Sequence, residues 1–506
     1  MTVSDYSEQG QFSVNGQRQN SNYFMVDGVS ANVGIAAGPT LDQTATGSIP
    51  AFTSFGGTNG MVSVDAMEEF RIQTSTYAAE FGRSPGAQVS IVTRSGSNDF
   101  HGTVFNYLRN EALDANDWFA NSLRLPKAKQ RQNDFGGVLG GPLRRNRTFF
   151  FFSYEGLRLL LPRVATRDVP SLSARQAAIP SMQPLLNAFP LPNGTDFGNG
   201  LAQFSATYSS PSTLNATSIR IDHALNNSLG LFGRYNYAPS ANSLRGAFGG
   251  VSLNQITRAS SVPATLTLGA QMITVRVTND LRFNYSRVRG SIEYLMDNFG
   301  GAVPLSTTSI FPTSAAAPRS ALFNISVGPT FLLFGQQAYN YQRQFNIVDT
   351  VAARAGSHLF GFGIDYRRLA PISDVHEYDF RTVFTTIGSA IAGQARQVVI
   401  TANLGRVYPV FNNFSVYAQD TWRVNPRLTL LYGARWELNP PPHEAKGNDP
   451  FTVRGLDHPA TATLAPRGTP LWQTTYGDPG AAWHSTLANN LRQPGAASWS
   501  SLFAEC

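Results

Sequence analysis

Lysine is almost missing from this chain. Of 39 basic residues only Lys127, Lys129 and Lys446 are lysines, so the net charge of +7 rests on arginine. Charged residues make up 14% of the sequence, against about 25% in ordinary soluble domains. That scarcity argues against long soluble helices, which carry many Glu and Lys. A single cysteine, Cys506, excludes an internal disulfide framework and any cysteine-based zinc site. No apolar run reaches the roughly 18 residues of a transmembrane helix. The start, Met1-Thr-Val-Ser-Asp5, has neither a basic n-region nor an apolar h-region. A pI near 9.5 permits nucleic-acid contact, yet the arginines are scattered singly and nucleic acid is not expected as a partner.

What is abundant is glycine (45), phenylalanine (34) and tyrosine (18), which suits a turn-rich β protein, since aromatics fit a pleated surface and glycine supplies turns. The clearest alternation lies at 413–438. Phe414, Val416, Ala418, Asp420, Trp422 and Val424 form one face, and Asn413, Ser415, Tyr417, Gln419, Thr421 and Arg423 the other. After the turn Asn425-Pro426 the pattern resumes with Leu428, Leu430, Tyr432, Ala434, Trp436 and Leu438. A period of two sets alternate residues on opposite sides of a sheet, and each run is close to the ~9–11 residues that cross a bilayer when tilted. Residues 218–237 form a second hairpin, turning at Asn226-Asn227-Ser228. Segments 340–353 and 358–368 form a third, with Phe360, Phe362, Ile364 and Tyr366 on one face. Segments 147–158 and 281–289 are further strands.

The connections carry a rhythm. Short turns are expected near 142–147, 226–228, 278–280, 354–357 and 425–426, and long polar connections near 111–133, 159–215, 238–262, 290–338 and 370–411. Tight turns at one end and large loops at the other are the signature of an up-and-down transmembrane barrel. Soluble propellers and large secreted adhesins also carry alternating segments, but have no reason to place long loops at every second connection. The first hundred residues differ in texture. Residues 64–70 read as a short helix with Ser63 as N-cap, and 71–76 and 87–93 as short buried strands, together a small α/β unit.

Several motifs point elsewhere and fail on their chemistry. Gly82-Arg-Ser-Pro-Gly86 matches the serine-hydrolase elbow, but the residue after Ser84 is Pro85, which has no N–H for an oxyanion hole. His376-Glu377 and His443-Glu444 lack the second histidine of a zinc protease and read as solvated loop residues. Gly136–Gly141 lacks the Gly-Lys-Ser/Thr ending of a phosphate loop, so close packing at a strand end is expected there. Asp420, on an apolar face, is expected near the periplasmic interface or beside an arginine. Asn146-Arg-Thr148, a glycosylation pattern, carries little meaning at the tight turn of a transmembrane barrel. No catalytic, cofactor-binding or metal-binding residue emerges, and an enzyme is not expected.

Four segments together resemble the TonB-dependent receptor superfamily, in particular its Oar-like outer-membrane receptors. They are VNGQRQNSNYFMVDGV at 14–29, with its Asp27-Gly28 turn; 63–107, with the Ser-Gly-Ser-Asn crossing at 95–98; DFGGVLGGPLRRNRTFFFFSYEGLR at 134–158; and FSVYAQDTWRVNPRLTLLYGARWE at 414–437. The resemblance implies a mainly β fold: a large antiparallel up-and-down transmembrane β-barrel, incomplete in this chain, with a small α/β plug domain. Residues 1–98 are expected to be the C-terminal part of the plug, 99–476 a partial barrel, and 477–506 an atypical tail of frameshifted or truncated character. It also implies outer-membrane localisation, import of an external ligand of unknown identity, and contact with outer-membrane lipid and lipopolysaccharide. Energy is expected from the TonB-ExbB-ExbD complex, through a segment not found in this sequence. The missing leader, TonB box and closing aromatic strand lead us to expect a fragment of a longer receptor. A non-transporting surface, adhesion or structural protein is the alternative. Arg124, Arg131, Arg144 and Arg145 hint at an anionic ligand or lipopolysaccharide, with solvated loop charge the plainer expectation.

Overall fold

The computed structural model describes residues 12–17, 21–34, 49–75, 77–247, 249–305, 321–374, 378–402, 406–440 and 442–447, with the strand pairs 453–454 and 463–464. The expected tail at 477–506 and the His376-Glu377 pair lie outside the described residues.

The N-terminal unit is a four-stranded sheet of β1 (Tyr23–Val26), β2 (Val29–Ser30), β3 (Met67–Gln73) and β4 (Gln88–Thr93), in the order β2-β1-β4-β3. Asp27 and Gly28 join β1 to β2 with φ of 50° and 77°. A two-residue hairpin with both central residues left-handed follows the natural twist of its strands, and Asp-Gly is a favoured pair for it. β4 is central and buried, as expected for 87–93. The expected helix over 64–70 is corrected: only Val64–Ala66 form one 3-10 turn, and Met67 already begins a strand. Ser63 does not cap that turn, because its hydroxyl donates to Glu155 instead. The expected buried strand over 71–76 is corrected as well. β3 ends at Gln73 and is largely exposed, because it is the outer strand of its sheet.

The rest is one large sheet, antiparallel throughout its membrane wall and parallel only where Ala321–Val327 meets Tyr378–Phe384 among the strand tips. In chain order its elements are β5 (His101–Asn110), β6 (Arg131–Arg144), β7 (Thr148–Pro170), β8 (Leu201–Ala224), β9 (Leu229–Tyr237), β10 (Ser240–Arg245), β11 (Gln255–Ile273) and β12 (Val277–Met296). They continue as β13 (Ala321–Val327), β14 (Thr330–Ala355), β15 (His358–Leu369), β16 (Ile372–Asp374), β17 (Tyr378–Phe384), β18 (Gln397–Ala402), β19 (Pro409–Asn425) and β20 (Leu428–Leu438). The continuous meander is β5-β6-β7-β8-β9-β11-β12-β14-β15-β19-β20. These eleven strands are half the ~22 of the plugged outer-membrane transporters. β10 continues the row of β9 beyond Ala238-Pro239, pairing with both β8 and β11.

Tight turns lie at one end, as expected, but the third is at 274–276 and not 278–280, because β12 starts at Val277. The long polar connections need a larger correction. Nearly half of 159–215, much of 238–262 and parts of 290–338 are strand: β7, β8, β11, β12 and β14 run for 19 to 26 residues. About 10 residues suffice to cross the bilayer, so these strands continue well beyond it. Short helices at Leu172–Ala177 and Gln183–Asn187 join the tips of β7 and β8, and a third at Ile387–Ile391 joins β17 to β18.

Below those tips the outward face is apolar and exposed. Tyr235, Leu266, Tyr285 and Phe345 stand in register across four strands, and Leu268, Phe283, Ile347 and Tyr366 form the next row toward the tight turns. In water such rows would be an aggregation surface; against lipid they are the solvated face. The inward positions are polar: Thr265, Thr267, Asn284, Ser286, Gln344 and Asn346 are all accounted for in the register of the same strands.

Candidate functional site

The inward face of the wall meets the N-terminal unit, and that seam is where the buried charge collects. At the tip of the β1–β2 hairpin the Asp27 side chain is 1% exposed. Its carboxylate accepts from the backbone N–H and hydroxyl of Thr93, both at 2.9 Å. Arg220 of β8 stands 3.4 Å away and Arg234 of β9 3.8 Å away. Arg282 of β12 donates to the Asp27 carbonyl at 2.6 Å. Two of these arginines are held by acids on their own strands, Arg220 by Asp222 at 2.7 Å and Arg282 by Asp280 at 2.5 Å. Both also lie over the Phe232 ring, 4.5 and 4.9 Å from its centre. That ring lies where a side chain on Gly269 would otherwise stand, which is why glycine occupies this wall position. A buried carboxylate with several cationic and N–H donors is a satisfied one, whereas removing a partner would strand the charge.

A second contact joins the 82–86 turn to β15 and β20. Arg83 pairs with Asp365 at 2.8 Å, and its backbone N–H donates to Glu437 at 2.9 Å. Arg435 bonds Glu437 at 2.7 Å and the Ser415 hydroxyl at 2.5 Å. Nearby, the Ser30 N–H donates to Asn346, and Gln344 donates to the Ser30 carbonyl. A third contact brings Asn59 and Ser63 onto Glu155 of β7, whose side chain is buried. Apolar residues of the unit, including Val33, Ala51, Phe52 and Met61, share one cluster with Val138, Phe151 and Val288 of the wall.

The candidates from sequence fall as follows. Ser84 lies in the second contact with its hydroxyl bonded to the Ser21 carbonyl, and Arg83 before it has a φ of 69°. Gly136–Gly141 lie within β6, where Gly136 packs against Phe105 and Gly141 against Phe100. His443 is exposed as expected. Glu444 is corrected: it is buried, and its carboxylate accepts from the backbone N–H of Tyr408 and Lys446. Among the described residues, no group of three or more His, Cys, Asp or Glu is placed to hold a metal ion. Asp420 sits near the tight-turn end, as one expectation had it. Its partner is not an arginine, however, but His358 and Tyr432, each at 2.7 Å. His358 in turn stacks on Phe360 and Trp422, an aromatic belt of the kind found at membrane interfaces. The four loop arginines are split: Arg144 and Arg145 flank a tight turn, whereas Arg124 and Arg131 lie at the opposite end.

The seam residues Asp27, Glu155, Arg220, Arg234, Arg282 and Asp365 were missed from sequence. One signal was present. Arg220-x-Asp222, Asp280-x-Arg282 and Arg435-x-Glu437 place opposite charges two apart, on the face that alternates with an apolar one.

A lipid-facing apolar wall with a polar, charge-bearing interior defines an outer-membrane β-barrel protein. The chain matches the family model for the outer membrane beta barrel domain over residues 92–184 and 176–490, and it belongs to that family. Over 150 residues it is 33% identical to the TonB-dependent transporter Oar of Myxococcus xanthus, a match covering 28% of this chain and 12% of that protein. Its fold is similar to the outer membrane transporter YddB from Escherichia coli, with a TM-score of 0.55, 11% identity, and 85% of this chain on 50% of that one. It is also similar to the ferric enterobactin receptor PfeA from Pseudomonas aeruginosa, with a TM-score of 0.50, 13% identity, and 86% of this chain on 54% of that one. The likeness to TonB-dependent receptors and the outer-membrane location expected from the sequence are thus both found. The chain spans about half the length of these solved relatives.

Proposed function

We propose that this chain supplies the plug and eleven wall strands of an outer-membrane transporter that imports an external ligand with energy delivered by TonB. Residues 1–98 are the plug and 99–476 its share of the barrel. The carrying observation is the Asp27 hairpin tip, held inside the wall by arginines of β8, β9 and β12. A folded unit clamped by ion pairs, and not only by apolar contact, occupies the lumen yet can be released by force on its own strands. Such pairs cost much to break singly but little once water enters. The similarity to a TonB-dependent transporter supports the energy source. The seam holds a protein unit by ion pairs, and the similar proteins are transporters and receptors, which supports a role other than catalysis.

Ser30 sits in the seam, and a cysteine there tests the proposal. Cells expressing Ser30→Cys in a Cys506→Ser background from the native locus are treated with a membrane-impermeant maleimide. Labelling is expected to rise several-fold when TonB is active. Equal labelling with TonB present or deleted would sink the energised plug.

A second reading, a surface or adhesion protein that transports nothing, draws support from the strand tips. They form a separate core of their own, with Phe189, Phe323, Leu332 and Phe384 all buried. The same labelling experiment separates the two, since an adhesin has no need to move Ser30.

A further inference from the structure

The outward row of β12 reads Leu281, Phe283, Tyr285 and then Arg287 and Arg289, all exposed. The change from apolar to cationic happens within two residues. It recurs on the neighbouring strands, where Ile347 and Phe345 of β14 give way to Arg343, and Ile364 and Tyr366 of β15 to Arg368. The four arginines lie on three adjacent strands on the side away from the tight turns: Arg287, Arg289 and Arg343 stand above the Tyr285–Phe345 row, and Arg368 ends that row as the register partner of Phe345. That is the outer-leaflet boundary.

Two of them are in direct opposition: Arg287 and Arg343 are register partners across β12 and β14. Like charges directly opposite on one sheet face repel. Among the described residues no carboxylate forms an ion pair with any of the four. Arg343 donates to the Ala370 carbonyl, and Arg289 lies 5.7 Å from the Tyr341 ring centre. Two other arginines on the extended strands are matched to acids, Arg245 with Asp297 at 2.5 Å and Arg258 with Glu293 at 3.7 Å. A repelling pair left without a counter-charge, at a boundary where lipid phosphates lie, calls for an anion from outside the chain.

We propose that Arg287, Arg289, Arg343 and Arg368 form a binding site for the phosphate groups of an outer-leaflet glycolipid, with the Arg287–Arg343 pair sharing one phosphate. Planar guanidinium groups suit bidentate contact with phosphate, and their place above Tyr285, Phe345 and Tyr366 lets the acyl chains lie along the apolar rows. The site depends on the outer-membrane placement of the wall, and not on transport.

The test uses the full chain extracted from outer membranes in detergent. It is incubated with bisphosphorylated lipid A, with dephosphorylated lipid A, or with inorganic phosphate, and retained lipid is measured after gel filtration. Bisphosphorylated lipid A is expected to be retained well above the dephosphorylated form, and equimolar inorganic phosphate is not expected to displace it. Arg287→Gln with Arg343→Gln is expected to weaken retention about fivefold per arginine, the factor that corresponds to the contribution of one surface cation near anionic lipid. The pair Arg423→Gln with Arg427→Gln, at the opposite rim, is expected to leave retention unchanged. Equal retention of both lipids, displacement by inorganic phosphate, or an equal loss in the rim pair would each overturn the site. A single Arg343→Gln without lipid adds a readout that does not depend on binding. Relief of the repulsion predicts unfolding on heating at the same temperature or higher, whereas a clear drop would mark a merely structural arginine and count against the proposal.

Discussion

The lower and upper parts of the wall are built from the same strands with opposite patterning. In the lower part of β8 the apolar residues are the outward Ile219 and Ile221, and the inward positions hold Ser218 and Arg220. Higher on the same strand the apolar set has moved inward, to Phe204, Ala206 and Tyr208, while Ser205, Thr207 and Ser209 face the other way. β12 makes the same change, from outward Phe283 and Tyr285 to inward Ile292 and Tyr294. The lower part hides polar groups and shows apolar ones to lipid, and the upper part does the reverse, as a protein in water does. The place where the apolar phase flips is the edge of the membrane, marked by Arg287, Arg289 and Arg343.

The sharpest way to break this comparison is to damage one half and ask whether the other survives. Phe323 is fully buried in the upper core and stacks on Phe334 at 5.1 Å. Phe323→Ala is expected to cost about 3–5 kcal/mol through the cavity it leaves. Limited proteolysis should then cut the extension readily, while outer-membrane recovery and heat-modifiable gel mobility stay normal. Loss of membrane assembly in this variant would mean that the two parts do not fold as separate cores.

The reciprocal change is smaller. Phe283 stands six residues beyond Val277, where β12 leaves the tight turn, which places it about 14 Å into the bilayer for a tilted strand. Phe283→Lys puts a charge near the midplane, at a cost of about 2–4 kcal/mol. Refolding yield into lipid vesicles should fall while the upper core resists protease as before. A lysine tolerated there without loss would contradict the lipid-facing assignment of that row.

The phase flip also accounts for what could be read from sequence. The hairpins at 218–237, 340–368 and 413–438 were legible because one face stays mainly apolar along their membrane-crossing length, with Asp420 the exception near a tight turn. Segment 159–215 was not. A single period loses its signal where apolar residues change sides, and Ser209-Ser210-Pro211-Ser212 at the crossover resembles a loop. Glycine and serine in long strands look like turns until the neighbouring strand is known. The seam was harder still. Asp27 was visible as a turn residue, since Asp-Gly fixes the hairpin locally, but its three arginines lie roughly 190 to 260 positions away. Nothing in their immediate surroundings announces a shared partner. The short helix over 64–70 failed for a related reason: the polar Ser63 that suggested a cap is claimed by Glu155, a residue of the wall.

The smallest expected effect concerns pH, and the two parts should differ in it. The lipid-facing rows from Tyr235 to Phe345 and from Leu268 to Tyr366 contain no group that titrates near or below neutrality. The upper part does. Asp297, just past the end of β12, bonds Arg245 at 2.5 Å, and the Arg245 guanidinium lies 4.1 Å from the Phe299 ring centre. Partial burial raises the Asp297 carboxyl, but the hydrogen bond and charge of Arg245, with the N–H of Phe299, outweigh it and hold the group below the ordinary carboxylate value. A depressed folded value means the stabilisation is fully present above the unfolded pKa near 3.9. It is lost as pH falls through the lower, folded value. Because the Asp297 side chain is 35% exposed, solvent screening keeps its size under about 1 kcal/mol. Hydrogen exchange at 297–302 should therefore quicken slightly below about pH 4, while exchange along Leu266–Ile273 of β11, a stretch with no carboxylate of its own, does not change beyond the intrinsic rate. Asp297→Asn should remove that pH dependence. A variant that kept it would transfer the titration to another group, and an equal response in the lower strand would erase the distinction between the two parts.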